Sequence, residues 1–323
     1  LDESHGVSQA LIDEAHEDIR RLIPPTPTQL SLPLSERLGR NVWLKLEIFQ
    51  PVRSFKIRGA IARFASLRRR GHSGPVVTCS AGNHGQAVAW CGRKWGWPTH
   101  VFVPSGANQA KVASIRREGG EIHEGGKDYQ AAFELAKAYS EDKGWPFVHG
   151  YDDPELIAGQ GSVGIEILEE CPEVETVIAG VGGGGLLAGI ALAMKARRPE
   201  LALIGIEPEG APSMRSALLA GHVVTLPEVH TIADGLAPGR VSERTLRIFQ
   251  GLVDDVRLVS DESLWPAMET LVREEHLITE PSGAAPLAAL ESDPSLGRGG
   301  VVLVVSGGNL SPADLSTLAG RLR

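Results

Sequence analysis

The chain has 323 residues, enough for one large core or for two lobes with a cleft between them. Its 42% apolar and 22% charged residues exclude bulk disorder. A net charge of -8 argues against nucleic acid and anionic membrane surfaces as partners, and three scattered cysteines (Cys79, Cys91, Cys171) argue against a disulfide framework or a zinc site and fit a reducing cytoplasm.

The N-terminal stretch LDESHGVSQALIDEAHEDIRR is acidic and amphipathic, unlike a signal peptide. VWLKLE (42–47) alternates like a strand, and Phe49-Gln50-Pro51 breaks it. AIARFASLRRR then repeats apolar residues at helical spacing, which makes Ser54 the expected N-cap and puts Lys56 in the first turn. The helix dipole disfavours a cation there. Lys56 is therefore either an ordinary solvated lysine or an amine kept neutral and nucleophilic.

Further along, short apolar runs alternate with helical patterns. PVVTCS (75–80), HVFVP (100–104), EIHEG (121–125), TVIAGVG (176–182) and LALIGIEP (201–208) each precede one, and GGVVLVVS (299–306) is a last buried strand. This order predicts an α/β chain with parallel sheets covered on both faces. The pattern alone suggests one sheet near residues 42–155 and a second from about 156 onward. The 18-residue uncharged window VIAGVGGGGLLAGIALAM (177–194) reads as strand, glycine turn and helix, because four consecutive glycines are poor material for a membrane span.

Ligands bind beyond the carboxyl ends of strands in such sheets, and three turns stand there. SAGNHGQ (80–86) offers a tight Gly82 and the polar Asn83 and His84 at a helix start; Asn83 alone is equally well an N-cap, and His84 alone is better read as structural. GVGGGGL (180–186) leaves bare backbone amides at a strand-to-helix junction, a phosphate cradle. It also satisfies G-x-G-x-x-G at Gly180, Gly182 and Gly185, with Glu207 at the end of the next strand, so an NAD-dependent dehydrogenase competes. SGGN (306–309) ends the last strand and alone is a turn.

Together SFKIRGA, SAGNH, GGGGL, EPSGA (280–284) and SGGN, in this order, resemble fold-type II pyridoxal-phosphate enzymes of the serine/threonine dehydratase and serine racemase branch. YDDPELIAGQGSVGIEI (151–167) and TIADGL (231–236) share the likeness, which runs from about residue 15 to 312. The resemblance implies a tryptophan-synthase-β-like fold of two lobes, each with a mostly parallel sheet flanked by helices. Residues 1–46 and 156–323 would form the large pyridoxal-phosphate domain and 47–155 the small one, with no C-terminal regulatory domain. Lys56 would hold the cofactor through its amine and serve as catalytic base; its helix-start position and apolar flanks suit a neutral amine. Phe55, Asn83, Gly182, Gly183, Gly184, Gly185, Leu186, Gly235, Glu280 and Ser306 would bind the cofactor with it. Ser80, Ala81, Gly82, Asn83 and His84 would bind the substrate.

The same likeness implies β-elimination from L-threonine or L-serine, giving 2-oxobutanoate or pyruvate and ammonia. A racemase, or a dehydratase of 3-hydroxyaspartate or phenylserine, is the alternative. A cytoplasmic homodimer or larger homo-oligomer acting on a small amino acid, with no nucleic-acid or membrane partner, completes the expectation. Three departures from the family pattern stand out. Arg53 replaces the glycine of a P-T-G-S-F-K turn. Ala81 replaces the second serine of the racemases' S-S-G-N-H. A divalent-cation site of some relatives would fall on Glu207, Ala211 and Ser213, where the serine replaces an acid, so no metal is expected.

Overall fold

The computed structural model describes residues 5–323; residues 1–4 of the acidic N-terminal stretch lie outside the described residues. Among the described residues run β1 (Thr28–Leu30), β2 (Val42–Leu46), β3 (Val76–Cys79), β4 (Thr99–Val103) and β5 (Gly120–Glu124). The later strands are β6 (Val174–Gly180), β7 (Ala202–Pro208), β8 (Asp255–Val259) and β9 (Gly300–Val305). The helices of the first half are α1 (Gln9–Arg20), α2 (Leu32–Leu38), α3 (Lys56–Arg69), α4 (Asn83–Trp95), α5 (Gln109–Arg117) and α6 (Tyr129–Lys143). Those of the second are α7 (Pro154–Glu170), α8 (Gly185–Lys195), α9 (Ser213–Ala220), α10 (Glu243–Leu252), α11 (Asp261–Glu275), α12 (Pro281–Ser292) and α13 (Pro312–Arg321).

The strands form a six-stranded sheet, ordered β1-β2-β9-β6-β7-β8, and a three-stranded sheet, ordered β3-β4-β5. Every pairing is parallel except β1 with β2. The central strands read as unbroken apolar runs because helices cover both faces. On one face α7 and α8 pack Val163, Leu187 and Ile190 against Val177 and Val302. On the other, α11 and α12 pack Leu264, Leu287 and Leu290 against Ile178, Ile204 and Leu303. All of these side chains are buried.

The expected sheet near 42–155 is corrected at its first strand. Val42 to Leu46 pair with Val301 to Val305, so β2 belongs to the larger sheet beside β9. Alternation marks a segment as extended but says nothing of its partner, and here the partner lies near the other end of the chain. Two strands escaped the sequence reading: β1 is only three residues long, and β8 is a partly buried edge strand that carries Asp255 and Arg257. The 177–194 window resolves into the end of β6, the glycine turn and α8. No helix among the described residues is long and apolar enough to cross a membrane.

Glycines set the position of α8. A Cβ on Gly189 would lie 2.3 Å from the Ile157 carbonyl of α7, and one on Gly161 would lie 3.1 Å from the Gly189 carbonyl. Close backbone contact between the two helices fixes where the N-terminus of α8 points.

Candidate active site

The turn carrying Lys56 is stitched to the end of β9. Ser54 bridges to Gly307, the Phe55 amide donates to the Ser306 carbonyl (3.1 Å), and the Gly308 amide donates to the Arg53 carbonyl (2.9 Å). Arg53, exposed, holds a left-handed φ of 55°, a conformation that the glycine of the family turn adopts without strain. Ser54 is not the N-cap. Phe55 occupies that position with helical angles, while Ser54 Oγ accepts from the Lys56 amide at 3.3 Å. Lys56 thus opens α3, and its Nζ donates to the Gly150 carbonyl at 2.7 Å. It forms no ion pair with the described residues. Burial depresses its pKa from 10.5 to about 8, and the charge of Glu280 opposes that shift only in part.

The glycine turn lies between β6 and α8. Gly184 has φ +87°, and a Cβ there would press on Met214 (2.8 Å). On Gly183 a Cβ would fall 2.2 Å from the Tyr151 ring, and on Gly182 2.8 Å from the Gly235 carbonyl. Only bare backbone fits this packing. The amides of Gly182, Gly183, Gly184, Gly185 and Leu186 donate to no other described residue. Five unpaired N–H groups at the start of an apolar helix make an anion site.

A second bare helix start lies at α4. The N-cap is Gly82, whose amide donates to Ser80 Oγ (3.1 Å), and the amides of Asn83 and His84 donate to no described residue. The Asn83 side chain is not a cap; it donates to Glu280 Oε1 (2.7 Å) and accepts from Asn309 Nδ2 (2.7 Å). His84 is buried, with Nε2 3.1 Å from the Val148 carbonyl. A carbonyl only accepts, so Nε2 carries the proton and the buried Nδ1 has no partner among the described residues. Burial first, then the Lys56 charge, pulls the ring pKa down to about 3 and keeps it neutral. The Ala81 methyl packs against the small-sheet cluster of Val101, Val112 and Ile115.

The remaining expected residues join the same region. Glu280 is the N-cap of α12, and burial raises its carboxyl pKa. Ser306 is buried at the end of β9, and a Cβ on Gly307 would strike Glu280 Oε1 at 2.2 Å. Gly235, on a single helical turn, lies against Ser282 and Gly182. Gly150 connects the parts: its carbonyl meets Lys56, a Cβ on it would lie 3.7 Å from the His84 ring, and Tyr151 beside it covers Gly183.

Sequence reasoning missed Gly150, Asn309 and Arg58. The guanidinium of Arg58, two residues after Lys56 and fully buried, donates to Glu47 (2.7 and 2.8 Å), Glu166 (2.7 and 2.7 Å), Ser162 (2.9 Å) and Thr26 (3.2 Å). Its signal is a charged residue inside the apolar half of SFKIRGA. The dinucleotide reading fails at Glu207, whose carboxylate already accepts from the amides of Met214 (2.7 Å) and Arg215 (2.9 Å) and so caps α9.

A family model described as pyridoxal-phosphate dependent enzyme matches residues 19–307. The chain is similar to the L-threonine ammonia-lyase of Geobacter sulfurreducens, at 38% identity over 96% of this chain and 78% of that protein. Among solved structures it is similar to maize serine racemase (33% identity, TM-score 0.91, 98% of this chain and 97% of that one). It is also similar to the processed form of threonine deaminase isoform 2 from Solanum lycopersicum (34% identity, TM-score 0.89, 97% and 94% of the two chains).

Proposed function

The chain belongs to the pyridoxal-phosphate dependent enzymes, of fold type II, and from that premise we propose that it is an ammonia-lyase acting on L-threonine, L-serine or both. The observation that carries the reading is the Lys56 amine, enclosed, depressed to about 8 and unpaired with any carboxylate among the described residues, in the same site as the bare amides of the glycine turn. An amine for an aldehyde and an amide cradle for a phosphate are the donor set that pyridoxal 5'-phosphate requires. When bound, the cofactor supplies an electron sink next to the substrate α-carbon.

The rest is the work of this chain. Lys56 would hold the cofactor and, once freed, take the α-proton on its neutral Nζ. Gly182, Gly183, Gly184, Gly185 and Leu186 would hold the phosphate, with Gly235 backing the turn. Phe55 and Asn83 would border the ring, and Glu280 would fix Asn83. Ser306, a hydroxyl rather than a carboxylate, would meet the ring nitrogen without forcing a positive charge on it; a weaker sink favours loss of the β-hydroxyl over transamination. Ser80, Gly82 and the amides of Asn83 and His84 would bind the substrate carboxylate. The neutral His84 ring contributes no charge, and its N–H is already committed to Val148. The products are a 2-oxo acid and ammonia.

The proposal takes residues 47–155 as the small lobe and 1–46 with 156–323 as the large one. A homodimer or larger homo-oligomer is supported by Phe49 (58% exposed) and Ile278 (52% exposed), flanking the Ile48–Gly308 contact. A cytoplasmic setting is supported by three buried free thiols. The deciding assay measures 2-oxo acid and ammonia from L-threonine, L-serine, 3-hydroxyaspartate and phenylserine. Release from threonine or serine supports the reading; turnover of the last two alone would move the assignment to another hydroxy amino acid.

A further inference from the structure

Away from the cleft, the three-stranded sheet carries a cluster that the lyase chemistry does not use. His100 on β4 stands opposite Glu121 on β5, and His123 lies two residues further along β5, so all three side chains share one face. His100 Nδ1 is 3.0 Å from His123 Nε2 and 3.5 Å from Glu121 Oε2, and His123 Nε2 is 3.4 Å from Glu121 Oε1. These separations are close to a coordination polyhedron. Nitrogen and oxygen donors about 2.0–2.1 Å from a tetrahedral zinc ion sit about 3.3 Å from one another.

We propose that His100, Glu121 and His123 bind a late first-row divalent cation, with zinc the best fit, leaving the fourth position to water. Two observations beyond proximity support this. Both rings are held in place by stacking: His100 on Trp145 (centroids 4.9 Å, planes 16° apart) and His123 on Phe102 (4.7 Å, 10°). The donors are thus aimed before any ion arrives, which lowers the ordering cost of binding. The two facing imidazole nitrogens also share one proton, since at 3.0 Å one N–H donates to the other ring; a cation would take the place of that proton and accept both lone pairs at once. Imidazole and carboxylate donors with an open position suit zinc, copper or nickel better than magnesium or calcium. The scattered cysteines argue only against a thiolate site. The sequence trace of this one is E-x-H on a strand, with its third member on the neighbouring strand.

The bound ion would fasten β5, the edge of the small sheet, to β4. The test uses chelator-treated holoenzyme titrated with Zn2+ by calorimetry, with thermal melting in parallel. Glu121→Gln and His123→Gln serve as variants; the Glu121 side chain is exposed and that of His123 partly exposed on the edge strand, so the fold should survive. The proposal expects about one ion per chain, a higher melting temperature with zinc, and tetrahedral Co2+ absorption on substitution. Each variant should weaken binding by more than the roughly 10- to 100-fold that loss of an outer-shell partner alone costs. Oxo-acid release should persist in both. Absence of saturable zinc binding in the parent, or unchanged binding in either variant, would overturn the proposal.

Discussion

Lys56 is a lysine at the wrong end of a helix for a cation, and its surroundings explain why. Burial takes the amine down to about 8, with only partial opposition from Glu280. The folded pKa lies below the ordinary 10.5, so between those values the folded chain binds fewer protons than the unfolded one. Cofactor-free protein should therefore gain stability from this group as pH rises from about 8 towards 10.5, and lose it again as pH falls from 10.5 to about 8. Covalent capture of added pyridoxal phosphate needs the free amine. Its rate should climb about tenfold per pH unit below 8 and level off above it, a profile that stopped-flow absorbance would follow. A rate still climbing beyond pH 10 would mean an ordinary solvated lysine. Ala81 makes the second prediction at this scale. On the proposed reading its methyl cannot return a proton to the substrate, so the α-carbon would be served from the Lys56 side alone. Chiral chromatography should show negligible D-serine from L-serine beside the pyruvate formed, and Ala81→Ser should introduce some. Comparable D-serine and pyruvate from the parent enzyme would contradict this assignment.

Two elements frame the proposed site, the glycine turn and the start of α3 that carries Lys56. Gly184→Asp places a carboxylate among amides arranged for an anion, and cofactor retention should collapse. The left-handed φ and the Met214 contact penalise any side chain there, so Gly184→Ala is the matched control. The alanine variant should keep more cofactor than the aspartate variant at equal folded content by circular dichroism; equal losses would reduce the glycines to a tight turn. For α3, the anchor is Arg58. Arg58→Leu leaves Glu47 buried without its cation and Glu166 with Lys45 alone, and denaturant melts should show a loss of about 3–5 kcal/mol. A loss under about 1 kcal/mol would mean that the network is not what seats the helix. These elements are unequally legible in the sequence. Four glycines in a row announce bare backbone by composition alone, and the apolar flanks of Lys56 announce its burial. Arg58 can be read as buried but not as paired, because Glu47 and Glu166 approach it from separate elements. Composition favours serine as a cap and so points to Ser54, whereas the bridge from Ser54 to Gly307 lets Phe55 begin the helix.

Across the whole molecule, the alternation of strand and helix is visible in the sequence, and the pairing is not. Periodicity is local, while the β2–β9 pair joins opposite ends of the chain and the Asn83–Glu280 and Asn83–Asn309 contacts join the two sheets' loops. That long-range closure brings SFKIRGA, SAGNH, GGGGL, EPSGA and SGGN, dispersed over most of the chain, to one site. Everything proposed for that site depends on a single chemical position, the Lys56 amine as the point where the cofactor is held. The most direct measurement is borohydride reduction of the enzyme as purified with pyridoxal phosphate, followed by proteolysis and peptide mass mapping. The expected result is loss of the visible absorption band and a pyridoxyl group on the peptide containing Lys56, and on no other lysine. A label on a different lysine, or an unlabelled Lys56 in protein that carried the cofactor, would contradict that role.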